Sequence, residues 1–263
     1  MLAKAKIKQS FASAAQTYDD VAALQRQVGR DLWRQLGALQ TDGVLLDVGC
    51  GTGFMLTELI NQEQMLPNLS IALDIAEPML QISRRRLMEQ ASIRYLCADA
   101  ERLPLLETSV DVVISNLALQ WCRHLETVFA DIHRILKPGG VFGFTIFGAQ
   151  TLQELKQAWR EVDNYQHVNR FFDDQAINDC LVQMGIKPEN IQVVSHSINY
   201  PSVLTLMTEL KRLGARIVME GGNPKVTGKG TMQRMIQAYE PQMPDGSITA
   251  TFEVISIKAK RIH

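Results

Sequence analysis

With 263 residues, 46% of them hydrophobic, the chain has enough apolar material for a full core and no obvious second independent domain. Lys and Arg number 27 against 28 Asp and Glu, a formal charge of −1, so no overall field draws it to nucleic acid and any charged partner must meet a local patch. The four dispersed cysteines (Cys50, Cys97, Cys122, Cys180) have no metal-ligand or disulfide spacing, and no apolar run has signal-peptide or membrane-span length. A cytoplasmic, soluble protein without a metal is expected.

Apolar residues recur at helical spacing from about Ser13 to Leu39, with Val21, Leu24, Val28, Leu32 and Leu36 on one stripe, which predicts a leading helical segment. Strand Val44–Val48, helix Gly53–Gln62, strand Ser70–Leu73 and helix Pro78–Glu89 follow. Next come strands Ile93–Cys97 and Val110–Ser115, helix Leu125–Leu136, the turn Lys137-Pro138-Gly139-Gly140 and strand Val141–Phe147. This alternation predicts an α/β fold with a doubly wound, mostly parallel seven-stranded sheet. Beyond Gly148 helices are expected at Thr151–Val162, Asp174–Met184, Val203–Leu213 and Thr231–Tyr239, with strands at Ile191–Ser197 and Ile248–Ala259. Gly221-Gly222-Asn223-Pro224 reads as a flexible joint, and His167–Gly246 as a helical cap inserted before the last strand. The chain reads as one domain: a lid over 1–40, a core over 41–150, and a cap with closing strands over 151–263.

The run Val44-Leu45-Leu46-Asp47-Val48-Gly49-Cys50-Gly51-Thr52-Gly53 is a buried strand breaking into alternate glycines and a helix. Glycines let a ligand approach backbone N–H groups, and the helix start adds its positive end. The G-x-G-x-G spacing differs from the G-x-G-x-x-G of dinucleotide sites, and no G-x-S-x-G hydrolase elbow is present. The run, together with Asp74 before Glu77-Pro78-Met79-Leu80, the Asp99 turn and the Lys137 to Gly140 turn, resembles the class I S-adenosylmethionine-dependent methyltransferases (Rossmann-like) in order and spacing. The resemblance implies that Asp47, Gly49, Cys50 and Gly51 face the amino-acid end of S-adenosylmethionine, and that Asp74 accepts from the ribose hydroxyls. It implies too that Asp99 accepts from the adenine amino group, with Ile75, Met79, Ala100 and Asn116 around the cofactor. Gln120 and Trp121, in the turn after the fourth strand, belong near the transferred methyl. Asn116 is followed by Leu117-Ala118-Leu119 rather than an Asn-Pro-Pro-Tyr motif, which disfavours an exocyclic nitrogen acceptor.

Phe11-Ala12-Ser13-Ala14-Ala15-Gln16-Thr17-Tyr18-Asp19 with Gln25, the stretch Glu209-Leu210-Lys211-Arg212-Leu213-Gly214-Ala215, Val226-Thr227-Gly228-Lys229, and His167-Val168-Asn169-Arg170-Phe171 resemble the malonyl-acyl-carrier-protein O-methyltransferases of biotin synthesis (BioC type). The resemblance implies a malonyl-phosphopantetheine substrate on acyl carrier protein, with no nucleic acid and no membrane. It places Tyr18 and Gln25 over the cofactor. Lys211, Arg212, Arg216, Lys225, Lys229 and Arg234 lie in one stretch against Glu220, a patch suited to an acidic carrier. A malonyl carboxylate is ionised at neutral pH, so no base is required; Tyr18 and one cation, Arg170 or Arg212, are the catalytic candidates. Gln120, Trp121, His167, Arg170, Lys211, Arg212 and Arg216 are the substrate-binding candidates. A quinone or phenol methyltransferase, which would need a base near the methyl, and a non-catalytic assembly factor on the same fold are the alternatives.

Overall fold

The computed structural model describes residues 2–38, 42–62, 66–88, 90–215, 217–219, 221–222, 227–239 and 246–262. The leading segment is three helices rather than one: α1 (Leu2–Ala14), α2 (Tyr18–Val21) and α3 (Ala23–Leu36). The helix α1 escapes the periodicity because LAKAKIKQSFASA carries no sustained apolar stripe. Leu39 and Glu89, where two expected helices end, lie outside the described residues, as do Asn223 and Pro224 of the expected joint.

The strands β1 (Val44–Val48), β2 (Leu69–Asp74), β3 (Ile93–Cys97), β4 (Val110–Asn116) and β5 (Leu136–Phe147) run parallel. The last strand, β7 (Ile248–Arg261), lies antiparallel between β5 and β6 (Ile186–Tyr200). The sheet order is β3-β2-β1-β4-β5-β7-β6, so strand order reverses between β1 and β4, which is where an open α/β sheet leaves a crevice at its carboxyl edge. Leu45, Leu46 and Val48 are all buried, as a parallel strand covered on both faces requires.

The helices α4 (Phe54–Asn61) and α5 (Glu77–Arg86) pack with α3 on one face, around Leu32, Leu45, Leu56 and Leu80. On the other face, α6 (Leu125–Ile135) and α8 (Asp174–Gln183) close over Phe129, Phe142 and Phe144, whose rings lie 4.5 to 5.9 Å apart. Over the carboxyl edge, α7 (Gln153–Arg160), α9 (Val203–Arg212) and α10 (Lys229–Ala238) gather a third cluster with Trp159, Leu206, Met235 and Phe252.

Two expected boundaries shift. The strand β5 includes Lys137 to Gly140, with Gly139 at φ +75° and a register shift opposite Val110/Val112, so a bulge absorbs the Pro-Gly pair without breaking the strand. The strand β6 starts earlier and, with α8, joins the main sheet layers, which reduces the expected His167–Gly246 cap to α9, α10 and the segment entering them. Residues 192 to 195 of β6 are all exposed, so the inside-outside alternation that marks a half-buried strand is missing from its middle.

Candidate active site

Gly49, Gly51 and Gly53 have φ of +72°, +54° and +86°. A Cβ on Gly49 would stand 2.3 Å from the Cβ of Ala118, so glycine alone lets the loop after β4 close against the turn. The N–H groups of Gly49 and Cys50 donate to the Leu73 carbonyl at 2.8 and 2.9 Å. Gly51 N–H donates to Asp74 Oδ2 at 2.9 Å, and Ala76 N–H to Oδ1 at 2.8 Å. Burial pushes the Asp74 carboxyl up to about 6, against the pull of these backbone donors.

A cleft of about 770 Å³, including its open mouth, runs from this turn to Asp99; Ile75, Met79, Ala100 and Asn116 line it. Its roof is α1: Lys4, Ile7 and Phe11 face it, and Phe11 packs edge-on to Trp121 at 5.3 Å. Lys4 pairs with Asp99 and, at 2.5 Å, with Glu101; burial lowers its pKa, and these two partners outweigh burial and hold it above the usual value. The carboxylate expected to meet an adenine amino group therefore also anchors the roof. A second clamp holds α2 to the glycine turn: Thr52 Oγ1 donates to Asp19 Oδ1 at 2.7 Å, and Arg86 pairs with Asp19. Lys4 and Arg86 carry no motif signal, and Asp19 and Thr52, though inside quoted segments, give no sign of this contact, because the partners are distant in sequence.

Below the turn, a smaller chamber is lined by Tyr18, Gln25, Arg26, Cys50 and Asn116. Gln25 Oε1 is buried with no hydrogen-bond partner among the described residues, and so are both carboxylate oxygens of Asp47 on β1, which lines neither this chamber nor the cleft. Burial, then the Asp74 charge, pushes the Asp47 carboxyl up to about 8. Buried acceptors without donors are costly, and a cofactor with an ammonium group beside a sulfonium fits them. Asn116 Nδ2 donates to the Gln25 carbonyl at 2.9 Å, joining α3 to the end of β4. Tyr18 lines both spaces, and burial followed by the Asp74 and Asp19 charges pushes its hydroxyl well above its ordinary range.

Trp121 is also a wall of a second, largely apolar chamber of about 940 Å³ including its mouth, between the sheet edge and the cap. His167 and Lys211 line it. The other expected substrate residues fall elsewhere. Arg212 Nη2 donates to Asp20 Oδ2 at 2.6 Å, tying α9 to α2, and Arg212 lines neither chamber. Arg170 is exposed and lines outer grooves. Gln120 donates from Nε2 to the Leu117 carbonyl at 2.7 Å, bracing Leu117 at φ +48° rather than facing either chamber. Arg216, Lys225 and Glu220 lie outside the described residues. The expected patch is thus divided: Lys211 lines the chamber, Arg212 pairs with the lid, and Lys229 and Arg234 are exposed on α10.

The fold and this crevice are those of a class I methyltransferase. Residues 46–144 match the methyltransferase domain family model. YcgJ protein from Bacillus subtilis superposes with a TM-score of 0.65 at 16% identity, covering 90% of this chain and 98% of that one. A phosphoethanolamine N-methyltransferase of Haemonchus contortus, in complex with phosphomonomethylethanolamine and S-adenosylhomocysteine, superposes at 0.58 and 16% identity, covering 96% and 58%. Among curated relatives, a malonyl-[acyl-carrier protein] O-methyltransferase of Methylococcus capsulatus is 40% identical over 94% of this chain and 90% of its own length. One of Nitrosospira multiformis is 36% identical over 96% and 87%. A biotin biosynthesis bifunctional protein BioHC of Cellvibrio japonicus is 38% identical over 95% of this chain, which spans about half (49%) of that relative. The chain belongs to the malonyl-[acyl-carrier protein] O-methyltransferase family.

Proposed function

We propose that this protein transfers a methyl group from S-adenosylmethionine to the free carboxylate of malonyl carried on acyl carrier protein, giving the methyl ester that starts biotin (pimeloyl) synthesis in the cytoplasm. The observation that carries this reading is the meeting of the two chambers at Trp121. A cofactor held under α1 and an acyl arm held under the cap would meet at that wall.

S-adenosylmethionine supplies an electrophilic methyl on a sulfonium. Asp47 and Gln25 would hold its ammonium, Asp74 its ribose hydroxyls, and Asp99 would share its adenine end with Lys4. Tyr18 would close over the amino-acid end with its proton retained. The malonate oxygen is the nucleophile and is already ionised, so the protein aligns the two groups and keeps water out. Among the described residues, Lys211 and His167 are the chamber's charged and titratable groups, and a single hydrogen bond from one of them would leave the second carboxylate oxygen facing the methyl. Exposed cations on the cap side, among them Lys229 and Arg234, steer the acidic carrier. Lid, core and cap act as one unit in this scheme.

Purified protein incubated with S-adenosylmethionine and malonyl-carrier protein should add one methyl mass to the acyl arm. Methylation of phenolic or quinone acceptors in preference, or cofactor binding with no transfer to malonyl, would refute the reading.

A further inference from the structure

The second chamber contains one side chain whose placement packing alone does not require. The His167 ring stacks on Trp159 with centroids 3.5 Å apart and planes within 5°, and Nε2 lies 2.9 Å from Asp163 Oδ1. Its side chain is only 10% exposed. The segment that carries it is fixed from the next element: Asn169 Nδ2 donates to the Ile217 carbonyl and Met219 N–H donates to Asn169 Oδ1, both at 2.8 Å. Elsewhere the chamber wall is dominated by groups such as Phe147, Leu155, Val168 and Phe252. An aromatic face, a carboxylate and a pinned backbone thus set the orientation of one imidazole.

A ring with Nε2 spent on a carboxylate offers Nδ1 as a hydrogen-bond donor only when both nitrogens are protonated. Asp163 is the ring's partner: burial raises its pKa, but the hydrogen bonds from His167 and Tyr165 N–H, together with the charges of His167 and Arg234, bring it below the ordinary value. Lys211 from α9 is the cation lining the chamber among the described residues, and Arg234 from α10 acts on the Asp163 side. The lysine reaches the chamber from an exposed position, whereas the imidazole is held.

We infer that His167, held by Asp163 and stacked on Trp159, is the specificity-determining residue that reads the acceptor's free carboxylate, and that Asp163 is its positioning residue. The inference rests on the malonyl reading above and names what selects that acid over an uncharged acyl group. Binding one oxygen through a single imidazolium N–H leaves the other oxygen free to attack, which a bidentate guanidinium would hinder. A neutral acetyl thioester gains nothing from this group.

The test uses the full chain with malonyl-carrier protein as substrate and acetyl-carrier protein, which lacks the carboxylate, as competitor. His167→Gln should raise the malonyl KM about tenfold or more, the loss expected for one charged hydrogen bond, while kcat and the acetyl inhibition constant change little. Asp163→Asn, which takes the carboxylate partner from the ring, should also raise the malonyl KM while kcat and the acetyl inhibition constant change little. Parallel shifts of malonyl KM and acetyl inhibition, or a malonyl KM in Asp163→Asn equal to the parent's, would overturn the assignment. Unchanged malonyl selectivity in an active His167→Gln variant would overturn it while leaving the proposed function standing. A parent protein that binds S-adenosylmethionine and methylates no malonyl thioester would overturn both.

Discussion

Arg212 on α9 and Asp20 on α2 meet at 2.6 Å, so the cap is bonded to the lid beside the cofactor cleft. Both side chains are well exposed, at 40% and 63%, which limits the pair to under about 1 kcal/mol. Arg212→Ala should therefore weaken S-adenosylmethionine binding a few-fold at most. Titration calorimetry checks this, and the KM for a small malonyl thioester should rise by the same factor as that for malonyl-carrier protein. A selective effect on the carrier would return Arg212 to a docking role.

Lys4 closes the other end of the cleft through Asp99 and Glu101. Replacing it with alanine should speed cofactor dissociation several-fold and raise amide exchange along α1 without altering global stability by more than about 1 kcal/mol. Stopped-flow displacement and hydrogen-exchange mass spectrometry report the two quantities. Unchanged protection of α1 would mean that apolar packing by Ile7 and Phe11 suffices to hold the roof.

Asp47, raised to about 8 against an ordinary value of 3.8, is protonated at pH 7 in the cofactor-free protein. The unfolded chain loses this proton near its ordinary value while the folded chain keeps it. The group's stabilising contribution is thus complete below pH 3.8 and disappears as pH rises through about 8. Asp47→Asn should flatten the fall in stability over that window. Binding a cationic amino acid beside Asp47 should release a proton near pH 7, seen by calorimetry in buffers of different ionisation enthalpy. Asp47→Asn should release none from this group.

Gly49→Ala and Gly139→Ala separate two costs. Both positions have positive φ, at +72° and +75°, but a Cβ at Gly49 meets Ala118 at 2.3 Å while one at Gly139 meets nothing within 4 Å. The second substitution should cost only the backbone strain, about 1 kcal/mol. The first should cost about 3 kcal/mol or more, with a displaced loop after β4. Denaturant melts of the two variants give the comparison.

The strands and their polar ends were legible because a parallel sheet imposes continuous apolar runs, and its crevice draws Gly49, Asp74, Asp99 and Asn116 to one edge whatever the loops between them do. The cap was less legible for a geometric reason. Lys211 and Arg212 are adjacent in sequence yet about 100° apart around a helix, so one lines the chamber and the other turns to Asp20. Spacing that treats neighbours as one patch cannot divide them. The roof helix was hidden because its hold on the cleft comes from Lys4 and from edge contacts such as Phe11 with Trp121, across about a hundred positions, with no repeating stripe to announce it. His167 was named from its segment, but Trp159 and Asp163, which set its orientation, had no signal of their own.

Ser10 Oγ donates to the Gly214 carbonyl at 2.9 Å, while six residues earlier in the same helix Lys4 reaches Asp99. The helix over the cofactor cleft is therefore also tied to the turn that ends α9, and lifting it from the cleft breaks its bond to the cap.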